Sequence, residues 1–161
     1  MIACLGKNGK PTFAKSSSLA LELTIPSSSR FLTQVRHAVA IELRDLPRNT
    51  VDDVLLVLDE AVSNAIRHGS RDGGPVEIAV GIEHGWIDIR VRDHGPTPRL
   101  PRLPSAPPRT LATGGRGLWL IRQLVDEVGL RRAGRGTLLW ARSRVAAAAT
   151  LAAERRVRSA R

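Results

Sequence analysis

A chain of 161 residues with 42% hydrophobic content can bury one domain core and is too apolar to be disordered throughout. Aromatic residues make up 3% with no tyrosine, so that core must come from Leu, Val, Ile and Ala, and the single cysteine, Cys4, excludes a disulfide framework or a thiolate metal site. The formal charge of +10 suits a polyanionic partner such as nucleic acid, a membrane surface or nucleotide phosphate, yet the stretches 94–116 and 143–161 each hold +4 of it, where solvated arginine explains the excess as well.

Residues 1–18 are rich in Gly, Lys and Ser and predict a disordered N-terminus. They lack the apolar centre of a signal peptide, and no apolar run reaches the roughly 18 residues of a membrane span. A cytoplasmic protein without a membrane partner is expected. Leu19, Leu21, Leu23 and Ile25 alternate with polar or small residues and predict a half-buried strand. Pro26 ends it, and one of the serines 27–29 caps a helix that runs to about Leu46. Asn49 or Thr50 caps a second helix from about Val51 to Arg67. Val51, Val54, Leu55, Leu58, Val62, Ala65 and Ile66 form its main stripe, and Leu56 and Val57 add apolar surface elsewhere. Such a helix is covered on more than one face.

After a Gly-rich turn from His68 to Pro75, Val76, Ile78, Val80 and Ile82 alternate, and Ile87, Ile89 and Val91 do so again across Glu83-His84-Gly85. This predicts an antiparallel hairpin. The period of two places Asp93 on the same face as Val91, and a carboxylate at that buried edge needs a reason. Six prolines between 94 and 113 forbid helix and central strand. A loop of that length inside one domain is a functional or disordered segment. Gly114-Gly115-Arg116-Gly117 then opens a helix from Leu118 to about Glu127. Two short strands follow at 127–132 and 136–142 across Ala133-Gly134-Arg135, and the Arg-rich residues 143–161 predict a flexible tail. The order of elements gives an α+β fold, one sheet with helices on one face.

Common phosphate and catalytic motifs are missing: there is no Walker loop, no dinucleotide glycine fingerprint, no zinc spacing and no nucleophile elbow. Three constellations remain. Glu60, Asn64 and His68 lie four apart on one helix stripe, which can present a base and an oxygen ligand to one ion or water, or simply face solvent. Asp93, with Gly95 two residues on, can accept a hydrogen bond from an exocyclic amine while the glycine admits a flat ring, or it can start an Asx turn. Gly115, Arg116 and Gly117 at a helix start leave N–H groups open to an anion, or form a plain junction.

Their order is more specific than any one of them. Asp59-Glu60-Ala61-Val62-Ser63-Asn64-Ala65, then Asp93-His94-Gly95, then Gly115-Arg116-Gly117-Leu118, resemble the N, G1 and G2 boxes of the GHKL ATPase superfamily over about residues 19–142. They look most like those of the anti-sigma-factor serine kinases. The resemblance implies a Bergerat two-layer α/β sandwich, its sheet mixed but mostly antiparallel, with a mobile ATP lid at 94–116. It implies ATP and Mg²⁺ as cofactors, with Asn64 holding the metal and Glu60 as general base. Asp93 would bind the adenine amine with Gly95 beside the ring and Thr137 near it. Gly115, Arg116 and Gly117 would cradle phosphates, and His68 and Leu118 would line the nucleotide. The partners implied are a sigma factor and an anti-sigma-factor antagonist, with a homodimer in keeping with the family; no nucleic-acid motif is present. One departure stands out: Thr97 occupies the place of a second glycine after Asp93. That departure favours the alternative, a catalytically silent module of the same fold that binds ATP or a partner.

Overall fold

A computed structural model describes residues 21–69, 74–96, 100–106 and 116–145. The expected disordered N-terminus, nearly all of the tail, parts of the lid, Gly115 and Thr97 lie outside the described residues. Five strands form one sheet in the order β1-β2-β3-β5-β4, with β1 Leu21–Ile25, β2 Val76–Glu83, β3 Trp86–Arg92, β4 Glu127–Ala133 and β5 Gly136–Arg144. Every described pairing is antiparallel, which narrows the expectation of a mixed sheet. Three helices, α1 Leu32–Glu42, α2 Arg48–Asn64 and α3 Arg116–Leu124, complete the α+β layers.

The hairpins follow from local chemistry. His84 and Gly85 take φ of 49° and 80°, the two positive values that a two-residue turn needs to match strand twist. Gly134 supplies φ of 65° in the second hairpin. Each register then sets the faces. Ile78 lies opposite Val91 and Val80 opposite Ile89, and Val91 lies opposite Leu139. This inward face is buried under the helices, and Val80, Ile87 and Ile89 are fully enclosed.

Helix α2 packs against α1, α3 and β3. Its Leu58 and Val62 are fully enclosed and Val57 is buried, so it is covered on more than one side, while Leu56 stays exposed. Arg36 of α1 pairs with Asp59 of α2. Helix boundaries depart from the sequence pattern at both ends of α1 and both ends of α2. A 3-10 turn, Ser29–Phe31, precedes α1, and no serine side chain caps it. The helix α1 stops at Glu42, where the Leu46 amide turns back to the Leu43 carbonyl at 2.9 Å. Helix α2 begins at Arg48 with Pro47 as its cap residue, because the Pro47 carbonyl already accepts from the Val51 amide at 3.1 Å. At its other end α2 gives way after Asn64 to a wide π-type turn, Ala65–Gly69.

Candidate functional site

The strand β3 carries Asp93 to the edge of the buried face. The ladder between β3 and β5 runs one residue past Arg92 and Leu138, with the Asp93 amide donating to the Thr137 carbonyl at 3.0 Å. Asp93 Oδ1 in turn accepts from the Thr137 and Gly95 amides, both at 3.2 Å. Neither of these donations uses its Oδ2. Burial pushes the Asp93 carboxyl above the usual carboxylate range, and the two amide donations with the neighbouring His94 and Arg92 charges pull it partly back. An ionised carboxylate accepts at both oxygens, so Oδ2 can take a further donor.

Alternation turns His94 the other way. Its Nε2 lies 2.8 Å from Glu77 Oε1, and the Arg92 guanidinium donates to Glu77 Oε2 at 3.3 Å. This cluster braces the strand end from the outer side of the sheet.

Glycines close the site. A Cβ at Gly69 would overlap the Asp93 carboxyl, and one at Gly95 would fall on the Gly69 carbonyl. At Gly136 it would overlap the Asp93 carbonyl and lie 2.7 Å from Asp93 Oδ1. The close approach of three chain segments, rather than backbone conformation, demands these residues.

A second cluster forms where α3 meets α2. A Cβ at Gly117 would overlap Glu60 Oε2 and lie 3.3 Å from Asn64 Nδ2. The Glu60 carboxylate and Asn64 amide therefore face the first turn of α3, whose open N–H groups carry the positive end of its dipole. Arg116 is exposed at that turn, and Leu118 packs half-buried against the core. Arg122 of α3 donates to the Pro104 carbonyl at 3.1 Å, tying the described part of the proline-rich loop to this helix.

The structure thus brings Glu60, Asn64 and Gly117 together, and separately Asp93, Gly95 and Thr137. The turn Ala65–Gly69 joins the two groups, since it leaves Asn64 at one end and meets Asp93 at the other. His68 is exposed on that turn. A π-type turn is wider than an α turn, so the four-residue spacing no longer aligns His68 with Glu60 and Asn64. Gly69, Gly136 and Glu77 are the residues that sequence reasoning did not select. The adjacency of Gly69 to the helical motif, and of Gly136 to Thr137, were the available signals.

One antiparallel sheet covered on one face by helices, with polar groups gathered at a strand end and between two helices, is the architecture of the GHKL type. The model of the family described as the histidine kinase-like ATPase domain matches residues 25–143. The chain belongs to that family. It is similar to the serine-protein kinase RsbW of Oceanobacillus iheyensis, 26% identical over 120 residues that cover 67% of this chain and 76% of that protein. It is also similar to the anti-sigma F factor of Geobacillus kaustophilus, 27% identical over 139 residues, 81% of this chain and 94% of that protein. Among solved structures, that of the RsbU and RsbW domains of Rv1364c from Mycobacterium tuberculosis superposes with a TM-score of 0.57 at 16% identity. The match covers 78% of this chain and 31% of that one, and shows the fold. Among the described residues no helix is long and apolar enough to cross a membrane.

Proposed function

We propose that the chain is an ATP-dependent protein-serine/threonine kinase of the anti-sigma-factor type. Its protein substrate is an antagonist whose hydroxyl it phosphorylates, and it holds a sigma factor in the cytoplasm, as a homodimer. The observation that carries this reading is the meeting of the α3 mouth at Gly117 with the Glu60 carboxylate and the Asn64 amide. The relatives named as a serine-protein kinase and as an anti-sigma factor support the partner classes.

The residues present fit a nucleotide. Asp93 offers its second oxygen to the adenine amine, and Gly95 lets the backbone approach the ring beside Thr137. The first turn of α3, with Arg116, receives phosphate charge, and Gly115 is assigned there from sequence. Leu118 and His68 complete the lining. Among the described residues no group of three His, Cys, Asp or Glu side chains could hold a metal. A Mg²⁺ ion would be held by Asn64 through its amide oxygen, a hard ligand of the kind this ion takes. When bound, that ion supplies charge neutralisation on the phosphates.

The work left to the chain is positional. Glu60 lies beside the helix mouth that gathers the phosphates, so it accepts the proton of an incoming serine or threonine hydroxyl as the oxygen bonds to the γ-phosphorus. The bond to the bridging oxygen breaks and ADP leaves. Incubation with Mg-ATP and a purified antagonist protein tests this by phosphoserine formation. No transfer, beside an active control kinase, refutes the enzymatic reading.

One observation favours a second reading. Pro96 follows Gly95 where a more pliant chain would continue toward a second glycine, which stiffens the approach to the ring. A module that binds ATP or a partner without transfer would bind nucleotide calorimetrically and yield no phosphoserine.

A further inference from the structure

We infer that Gly69 is a positioning residue of the nucleotide site: it sets how deeply the Asp93 carboxylate sits and ties that depth to the Asn64 end of α2. This rests on the nucleotide reading above.

Gly69 is buried at the end of the turn Ala65–Gly69. Positive φ among the described glycines belongs to Gly85 and Gly134, so the backbone at 69 would accept an L-residue. What forbids one is space. A Cβ there would run into Cβ, Cγ and Oδ2 of Asp93, all side-chain atoms of one residue. The Gly69 carbonyl lies where a Cβ on Gly95 would stand. Gly69 is thus wedged between the carboxyl that faces the base and the glycine that admits it.

The wedge is held on both sides. Asp93 is held from β5 by the Thr137 amide and carbonyl, so its backbone cannot retreat without breaking the ladder. Gly69 is held by the turn that begins directly after Asn64. Any side chain at 69 must displace the whole Asp93 side chain, its Cβ included, or push back the end of α2. The first mislays the acceptor for the adenine amine, and the second moves Asn64. Guanine presents a carbonyl oxygen where adenine presents an amine, so a carboxylate in register repels it. Selectivity for ATP over GTP therefore reports the Asp93 position and not merely the integrity of the fold.

The experiment is a double-mutant cycle read by urea unfolding, together with ATP and GTP titrations by calorimetry. Gly69→Ala should lower the urea midpoint in the wild-type background and shift it far less in an Asp93→Gly background, where the obstructing side chain is gone. Gly69→Ala should also cut the ATP-to-GTP affinity ratio by about tenfold or more, the scale of one misplaced hydrogen bond to a charged group. Equal midpoint shifts in both backgrounds, or an unchanged ratio, overturn the inference. If Gly69→Ala does not fold, the double variant decides: a folded Gly69→Ala/Asp93→Gly chain supports the wedge, and an unfolded one overturns it. A wild-type chain that binds neither nucleotide refutes the nucleotide reading and the selectivity claim with it. That result is read on the wild type alone, and so is distinct from a failure read on the variants.

Discussion

Replacing Asp93 by asparagine separates the two duties of its carboxylate. Oδ1 accepts from the Gly95 and Thr137 amides at 3.2 Å each, and an asparagine carbonyl of the same size keeps both. The second position becomes an NH₂ group, which meets the adenine amine donor to donor. A hydrogen bond to a charged acceptor contributes about 1.5–3 kcal/mol. At 1.4 kcal/mol per tenfold, ATP affinity should fall by about 10- to 100-fold. Stability moves the other way. Burial raises the folded Asp93 carboxyl above its ordinary value of 3.8, so the folded chain holds that proton more tightly than the unfolded chain. The stability this confers is complete below 3.8 and is lost as pH rises through the raised folded value. The asparagine variant cannot titrate and escapes that loss. Relative to it, the wild type should weaken as pH rises through the acidic range, and at neutral pH the variant should be at least as stable. Calorimetric ATP titration and urea melts across a pH series measure both effects. Unchanged ATP affinity would refute the adenine role. A wild type that gained stability over Asp93→Asn as pH rose through that range would refute the burial argument.

Two further substitutions test the α2–α3 cluster. Alanine in a helix is ordinarily about 1 kcal/mol better than glycine, but at Gly117 its Cβ would overlap the Glu60 carboxylate. The Glu60 carboxylate is the far end of a flexible side chain, so Gly117→Ala should turn it aside at little cost to the urea midpoint while phosphoserine formation falls; unchanged transfer would contradict that contact. Glu60→Gln should leave ATP affinity near the wild-type value while phosphoserine formation drops by the roughly 10²- to 10⁴-fold of a lost general base; full transfer activity in that variant would remove Glu60 from the chemistry.

Much of the architecture was legible because its signals are local. Alternation in Val76–Glu83 and Trp86–Arg92 announced the central hairpin, and His84-Gly85 fitted its turn. The same period of two put Asp93 on the inward face, where it lies buried. The helix ends were less legible. Nothing in the composition of Ala65–Gly69 distinguishes a π-type turn from a continued α-helix, so the apolar stripe alone carries α2 on to Arg67 and aligns His68 with Asn64. The serines before α1 looked like caps, but a 3-10 turn took that position. The close approaches at Gly69 and Gly136 were invisible for a different reason. They arise between segments far apart in the chain, and a glycine kept for space carries no local mark. Asp93 was identifiable as an acceptor, yet the division of labour between its oxygens depends on Thr137, 44 residues away.

The central claim is that the helix carrying Glu60 and Asn64 and the strand end carrying Asp93 serve one purine triphosphate with its metal. Calorimetric titration of ATP into the wild type and Asn64→Ala, each with Mg²⁺ and with the metal chelated, tests it most directly. The account predicts ATP binding by the wild type that weakens on chelation, and an Asn64→Ala chain whose weaker binding no longer responds to Mg²⁺. No binding by the wild type, or a Mg²⁺ response unaltered by Asn64→Ala, would contradict it.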